Sequence, residues 1–321
     1  MTFRTVGKLL FIATASINVA LSLSRCSIDQ MTAYSWVDEL TAVKEFTIYD
    51  VARSPGGNDI AMVGYHGSVG QDILIYNIER NDVRSLIGEK DAFLANTVTW
   101  SPDGEYLTVS GGYWTDQTKN GIWLVPVSGK PPTFLADGTD SAWSPDGNMI
   151  AIGDNLSLES QLKVLDVRNG EERILLNVPK DRTMGGIHPE WSPTSDVIAF
   201  TVEEHISNKQ ARINLAYLLD LNGLEPKRLF TEQKWVDDVS WFPEGNWLVL
   251  MIRSSERGGV YFAPAEGSCF KRLLPGGSTG SYVDVSPDGD QLIVNRFGTP
   301  YIVNLREAAM EGKITFPLSC P

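Results

Sequence analysis

A five-residue phrase recurs along this chain at nearly even spacing, and it constrains the fold more than any other feature. Its full form is Trp100-Ser101-Pro102-Asp103-Gly104, repeated as Trp143-Ser144-Pro145-Asp146-Gly147. Variants stand at Ser54-Pro55-Gly56-Gly57, Trp191-Ser192-Pro193, Trp241-Phe242-Pro243-Glu244-Gly245 and Ser286-Pro287-Asp288-Gly289. The prolines, at 55, 102, 145, 193, 243 and 287, lie 47, 43, 48, 50 and 44 residues apart. A period of about 45 residues made of short strands is that of a β-propeller with one four-stranded blade per repeat.

The second copy shows how a unit is built. Thr97 to Trp100 is a short apolar strand, and Ser-Pro-Asp-Gly supplies a tight turn, with proline presetting φ and glycine tolerating the exit geometry. Tyr106 to Ser110 follows as the second strand, Ile122 to Val127 as the third and Thr133 to Leu135 as the fourth. The expected fold is all-β: one closed ring of six four-stranded antiparallel blades. Trp100, Trp143, Trp191 and Trp241 end innermost strands, where an indole fills the wedge between blades.

W-S-P-D-G followed by an apolar strand resembles the repeat of TolB-type propellers, over roughly residues 47 to 316. The first repeat departs from it with Arg53 in place of Trp, the fourth with Thr194-Ser195 in place of Asp-Gly, and the sixth with Val285 in place of Trp. The resemblance implies a fold, and the envelope-assembly role of TolB proteins is not carried over with it. It does not imply a reaction, because related propellers serve as binding scaffolds, hydrolases, lyases and lids. It would also imply a separate N-terminal domain, for which the sequence shows no segment.

Residues 1–26 differ in kind from the rest. Arg4 and Lys8 precede an apolar stretch from Leu9 to Leu23, the pattern of an export signal. Leu23-Ser24-Arg25-Cys26 resembles a bacterial lipobox with Cys26 as the lipidated residue, although Arg25 stands where a small residue is expected. Cleavage after Ser22 or Ser24, or an uncleaved anchor, are the alternatives. The chain is therefore read as a signal of lipoprotein type over 1–26, a linker or closure segment over 27–46 and the propeller over 47–321. Within the linker, Trp36, Leu40 and Val43 share the spacing of one helical face. A part of it is expected to add a strand to the sixth blade, with Lys313 to Leu318 as partner.

The 27 basic and 40 acidic residues give a net charge of −13, which argues against nucleic acid, whose affinity is dominated by Lys and Arg on phosphate. Removing Arg4, Lys8 and Arg25 with the signal would make it −16. Beyond Cys26 the cysteines are Cys269 and Cys320. Free thiols are the expectation, with a bridge between neighbouring blades as the alternative in an exported protein.

Gly276-Gly277-Ser278-Thr279-Gly280 satisfies the nucleophile-elbow pattern G-x-S-x-G, but that elbow needs a strand before the serine and a helix after it. Pro275 precedes it and another blade strand follows, so a loop is expected, and no α/β-hydrolase domain is anticipated. His66 and His205 are expected in loops between second and third strands. His188 lies five residues before Pro193, and the residues at the same offset are Asp50, Thr97, Asp140, Asp238 and Tyr282. Two residues on, on the same strand face, stand Glu190 and Asp284. Asp50, Asp140, His188, Glu190, Asp238 and Asp284 are thus expected to ring the channel mouth without any lysine or arginine.

Converging carboxylates focus a negative potential and raise one another's pKa. Such a ring suits a divalent cation such as calcium, or a basic group of a partner. The competing reading is that these aspartates bond backbone amides or cap turns. On the first view, replacing Asp140 and Asp238 by Asn relieves repulsion and stabilises the free protein. The sequence reading as a whole is an exported propeller of the cell envelope, touching the membrane only through its N-terminus. It binds a protein or peptide on the mouth face and is not an enzyme. The alternatives are a metal-assisted, lactonase-like hydrolase using the acidic funnel, and a component of an envelope assembly.

Overall fold

Each Ser-Pro-Asp-Gly phrase closes on itself. Ser101 Oγ accepts the Tyr106 N–H at 3.0 Å and donates to Asp103 Oδ1, which also takes the Glu105 N–H at 2.9 Å. Gly104 donates to the Ser101 carbonyl with φ at +72°, a conformation glycine reaches without strain. The same contacts recur at Ser144 and Ser286, so these three turns are built from their own side chains.

The computed structural model describes residues 34–67, 70–87, 93–113, 119–155, 159–178, 183–194, 196–205, 212–230, 234–254, 257–275 and 281–315. They form six separate four-stranded antiparallel sheets, the six blades of a propeller. The innermost strands are Phe46–Arg53, Phe93–Trp100, Asp140–Trp143, Thr183–Trp191, Trp235–Trp241 and Ser281–Val285, heading blades 1 to 6. Apolar side chains of neighbouring blades pack face to face, as Ala61, Val63 and Ile75 of blade 1 do against Val98, Leu107 and Trp123 of blade 2.

The ring closes through the N-terminal segment. Val37–Glu39 pairs with Thr299–Asn304 as the outermost strand of blade 6, with Val37 opposite Val303 and Glu39 opposite Tyr301. The partner is therefore not Lys313 to Leu318. After Asn304 the chain turns into the helix Leu305–Met310, and Lys313 to Thr315 lie beyond it outside any strand. Trp36, Leu40 and Val43 are all buried, as their spacing suggested, but on no helix of that length: Trp36 and Leu40 flank the short strand Val37–Glu39 and Val43 ends a 3-10 turn.

Trp191 and Trp241 are buried, while Trp100 and Trp143 are half-buried. Two indoles reach across a seam: Trp100 Nε1 donates to the Ala52 carbonyl at 2.9 Å and Trp241 Nε1 to the Glu190 carbonyl at 3.2 Å. Cys269 is disulfide-bonded rather than a free thiol, and the other two cysteines, Cys26 and Cys320, lie outside the described residues. So do the export segment and Gly276 to Gly280.

Candidate functional site

An innermost strand must turn side chains at alternate positions toward the axis. In blades 1, 2, 4 and 5 its register with the second strand shifts just before the position five residues ahead of the repeated proline, between Ile48 and Asp50, Ala95 and Thr97, Thr183 and Ile187, and Val236 and Asp238. A bulge of this kind re-aims the residue that follows it. The result is a cavity of about 250 Å³ along the axis, lined by all six anticipated residues, Asp50, Asp140, His188, Glu190, Asp238 and Asp284.

The carboxylates are not free. Asp50 accepts the N–H of Val51 at 2.9 Å and, across the seam to blade 2, that of Val98 at 2.7 Å. Asp238 does the same with Val239 at 2.9 Å and Val283 of blade 6 at 2.8 Å. Asp284 takes Val285 at 2.7 Å and Arg53 of blade 1 at 2.7 Å. Each is a clasp between adjacent innermost strands. Asp140 bonds its neighbour Ser141 at 2.7 Å, but its second oxygen meets His188 Nδ1 at 2.6 Å.

Burial sets the electrostatics. It pushes the Asp50 carboxyl well up, aided by the charge of Asp140 and opposed by the two amides. Asp238 is pushed up to about 7 by burial in spite of its bonds to Val283 and Val239. Glu190 is held well above the usual carboxylate range by burial and by the charges of Asp284, Asp238 and Asp140. Burial also raises Asp284, against the pull of Arg53 N–H, Ser240 and Val285. For His188 burial works downward, yet the hydrogen bond and charge of Asp140 outweigh it and the imidazole is raised.

Three contributors had no signal in the repeat pattern. Arg53 also lines the cavity, so the ring is not without a cation. Its guanidinium is directed away from the axis to the Gly57 carbonyl and Gln291, both at 2.7 Å. Ser240 stands between two carboxylates, donating to Asp284 at 3.0 Å and reaching Glu190 at 3.4 Å. Asp237, one residue before the ring position, pairs with Arg253 at 2.6 Å. His66 closes the second strand of blade 1 and packs on Phe46 with ring centroids 5.3 Å apart; His205 ends the second strand of blade 4. Neither lies in a loop. Among the described residues no three His, Cys, Asp or Glu side chains converge closely enough to hold a metal ion.

Residues 30–133 match the family model of the eukaryotic translation initiation factor eIF2A. A curated relative from Anopheles gambiae, one of the subunits of eukaryotic translation initiation factor 3, is 27% identical over 164 residues, covering 49% of this chain and 22% of the relative. The chain thus spans about a fifth of that relative's length. TolB from Acinetobacter baumannii superposes with a TM-score of 0.56 at 14% identity, over 82% of this chain and 64% of TolB. An oligogalacturonate lyase in complex with manganese does so with 0.58 at 13% identity, over 85% and 94%. At these identities the likeness is one of fold. The protein has the TolB-like six-bladed architecture that its repeat indicated.

Proposed function

We propose that this propeller is a non-catalytic platform that binds a protein or peptide at its channel mouth, through a cationic side chain of the partner. The observation that carries this is the arrangement around Ser240. One hydroxyl proton faces two carboxylates, Glu190 and Asp284, in a buried ring whose acids are all displaced upward where a shift is resolved. A buried carboxylate without a donor is costly. A guest ammonium or guanidinium supplies the missing donors and charge at once. The insect relative is named as one part of a multi-chain factor, which supports a role within an assembly.

The test is calorimetric titration of the propeller with oligo-lysine, oligo-arginine and oligo-glutamate peptides. The basic peptides should bind and the acidic one should not. Glu190→Gln should weaken binding by ~1 to 3 kcal/mol, the worth of a hydrogen bond to a charged group. Equal binding of acidic and basic peptides, or none, overturns the reading. The fold of the manganese-bound lyase favours a second reading, a metal-assisted hydrolase or lyase. The mouth residues do not fit a metal site as they stand, so no step is derived through one. We further propose export to the cell envelope through residues 1–26, with Cys26 as the lipid attachment point.

A further inference from the structure

Of the three aspartates at the ring position, two clasp the next blade alike and the third, Asp140, does not. Asp50 and Asp238, at the ring position, each reach the N–H of the second ring-side residue of the next blade, Val98 or Val283. The residue in that place in blade 4 is Pro189, which has no N–H. Asp140 Oδ2 takes His188 Nδ1 instead, at 2.6 Å. We propose that the seam between blades 3 and 4 is a pH-responsive latch, in which the Asp140–His188 pair replaces the carboxylate–amide clasp and sets how strongly the mouth attracts a cation. The second half of this statement rests on the binding function proposed above; the first does not.

Backbone amides do not titrate in the physiological range, whereas imidazole does. The groups facing His188 are Asp140 from blade 3, Asp237 and Asp238 from blade 5 and Glu190 on its own strand. Arg253 is engaged by Asp237 at 2.6 Å, and Lys163 lies with Asp154 and Glu172, so neither neutralises Asp140. On the second strand of blade 4, Thr201 stands opposite His188, and Glu204 accepts the Tyr217 hydroxyl. His188 is therefore the one cation in direct contact with the ring carboxylates among the described residues.

The sign follows from the raised imidazole. Its contribution to stability is full below about 6.5, the unfolded value, and is lost as pH rises through the higher folded value. Over the same window the mouth loses the imidazolium charge, in addition to the proton that Asp238 gives up near 7, so affinity for a cation increases. One residue thus moves stability and binding in opposite directions.

Imidazole NMR titration, with the His188 signal assigned by His66→Gln and His205→Gln, should place His188 above the unfolded value of about 6.5. Pro189→Ala supplies the missing N–H, frees His188 from Asp140 and should bring its titration downward. His188→Asn keeps a donor near the Nδ1 position without titrating. Its melting temperature between pH 6 and 8.5 should fall less than that of the wild type, a difference that only the titration of the ring produces. An oligo-lysine peptide should bind the wild type about fivefold more tightly at the upper pH than at the lower, the worth of one exposed to half-buried charge pair, with a smaller change in His188→Asn. His188 titrating at or below the unfolded value of about 6.5, or an unchanged melting profile in His188→Asn, overturns the latch. Loss of the peptide arm alone overturns the mouth reading and leaves the latch standing.

Discussion

Asp238 spends both carboxylate oxygens on backbone N–H groups of two blades, yet burial pushes its carboxyl up to about 7. Residue by residue this is the tension of the whole site: the same side chain is a clasp and a charge held where charge is disfavoured. A folded value above the unfolded 3.8 means that its contribution to stability is present at low pH and is lost as pH rises through about 7. Urea denaturation should show the protein more stable at pH 6 than at pH 8. Asp238→Asn should reduce that slope while costing ~1 to 3 kcal/mol at pH 6, because an amide offers one acceptor where two N–H groups wait. The sequence pattern led to the opposite sign, a stabilisation through relief of repulsion. A gain in stability in Asp238→Asn at pH 6 would restore that view. The positions of Asp50, Asp140 and Asp238 were legible because the repeat supplies a register. Their partners were not, since Val98 and Val283 belong to other blades and the meaning of Pro189 appears only beside Asp140.

At the scale of elements, blades meet more closely than their sequences suggest. A Cβ at Gly153, on the second strand of blade 3, would lie 1.8 Å from the Ile187 carbonyl oxygen on the innermost strand of blade 4. Within blade 2, a Cβ at Gly111 would meet the carbonyl of Leu94 on the innermost strand at 1.9 Å. Both glycines sit in strands where glycine otherwise weakens pairing, and the close approach of another backbone explains them. Gly153→Ala should therefore push apart the seam that holds Asp140 and His188, at a cost of about 3 kcal/mol by overpacking, measured by denaturant unfolding. A near-neutral Gly153→Ala would mean that the seam yields without strain. No sequence period marks Gly153, because its constraint comes from the adjacent blade, whereas Gly111 is crowded by the innermost strand of its own blade. The turns were legible for the converse reason, since Ser101, Asp103 and Gly104 satisfy one another within five residues.

For the whole molecule, closure decides how the propeller is presented. The first described residues lie against blade 6, where Trp36 is fully buried and its indole donates to Glu311 at 3.1 Å. The described chain therefore enters at the outer edge of a blade. On the export proposed above, mass spectrometry of the protein purified from the cells that make it should find at least the first 22 residues removed and a diacylglyceryl adduct on Cys26. An intact N-terminus sinks processing, and an unacylated mature terminus sinks the anchor alone. The sequence by itself determined the architecture and the ring: six prolines at a steady period, each with its own turn chemistry, set the number of blades and the offset that gathers the carboxylates. Such information is local and repeated, so one chain carries it without knowledge of its folded neighbours. Only the tertiary structure decided what closes the ring, which carboxylates clasp amides, where Arg53 points and why His188 is drawn to Asp140. Those outcomes depend on which backbone donors of one blade face the side chains of the next, and a missing N–H on Pro189 has no consequence until blade 3 is placed beside it.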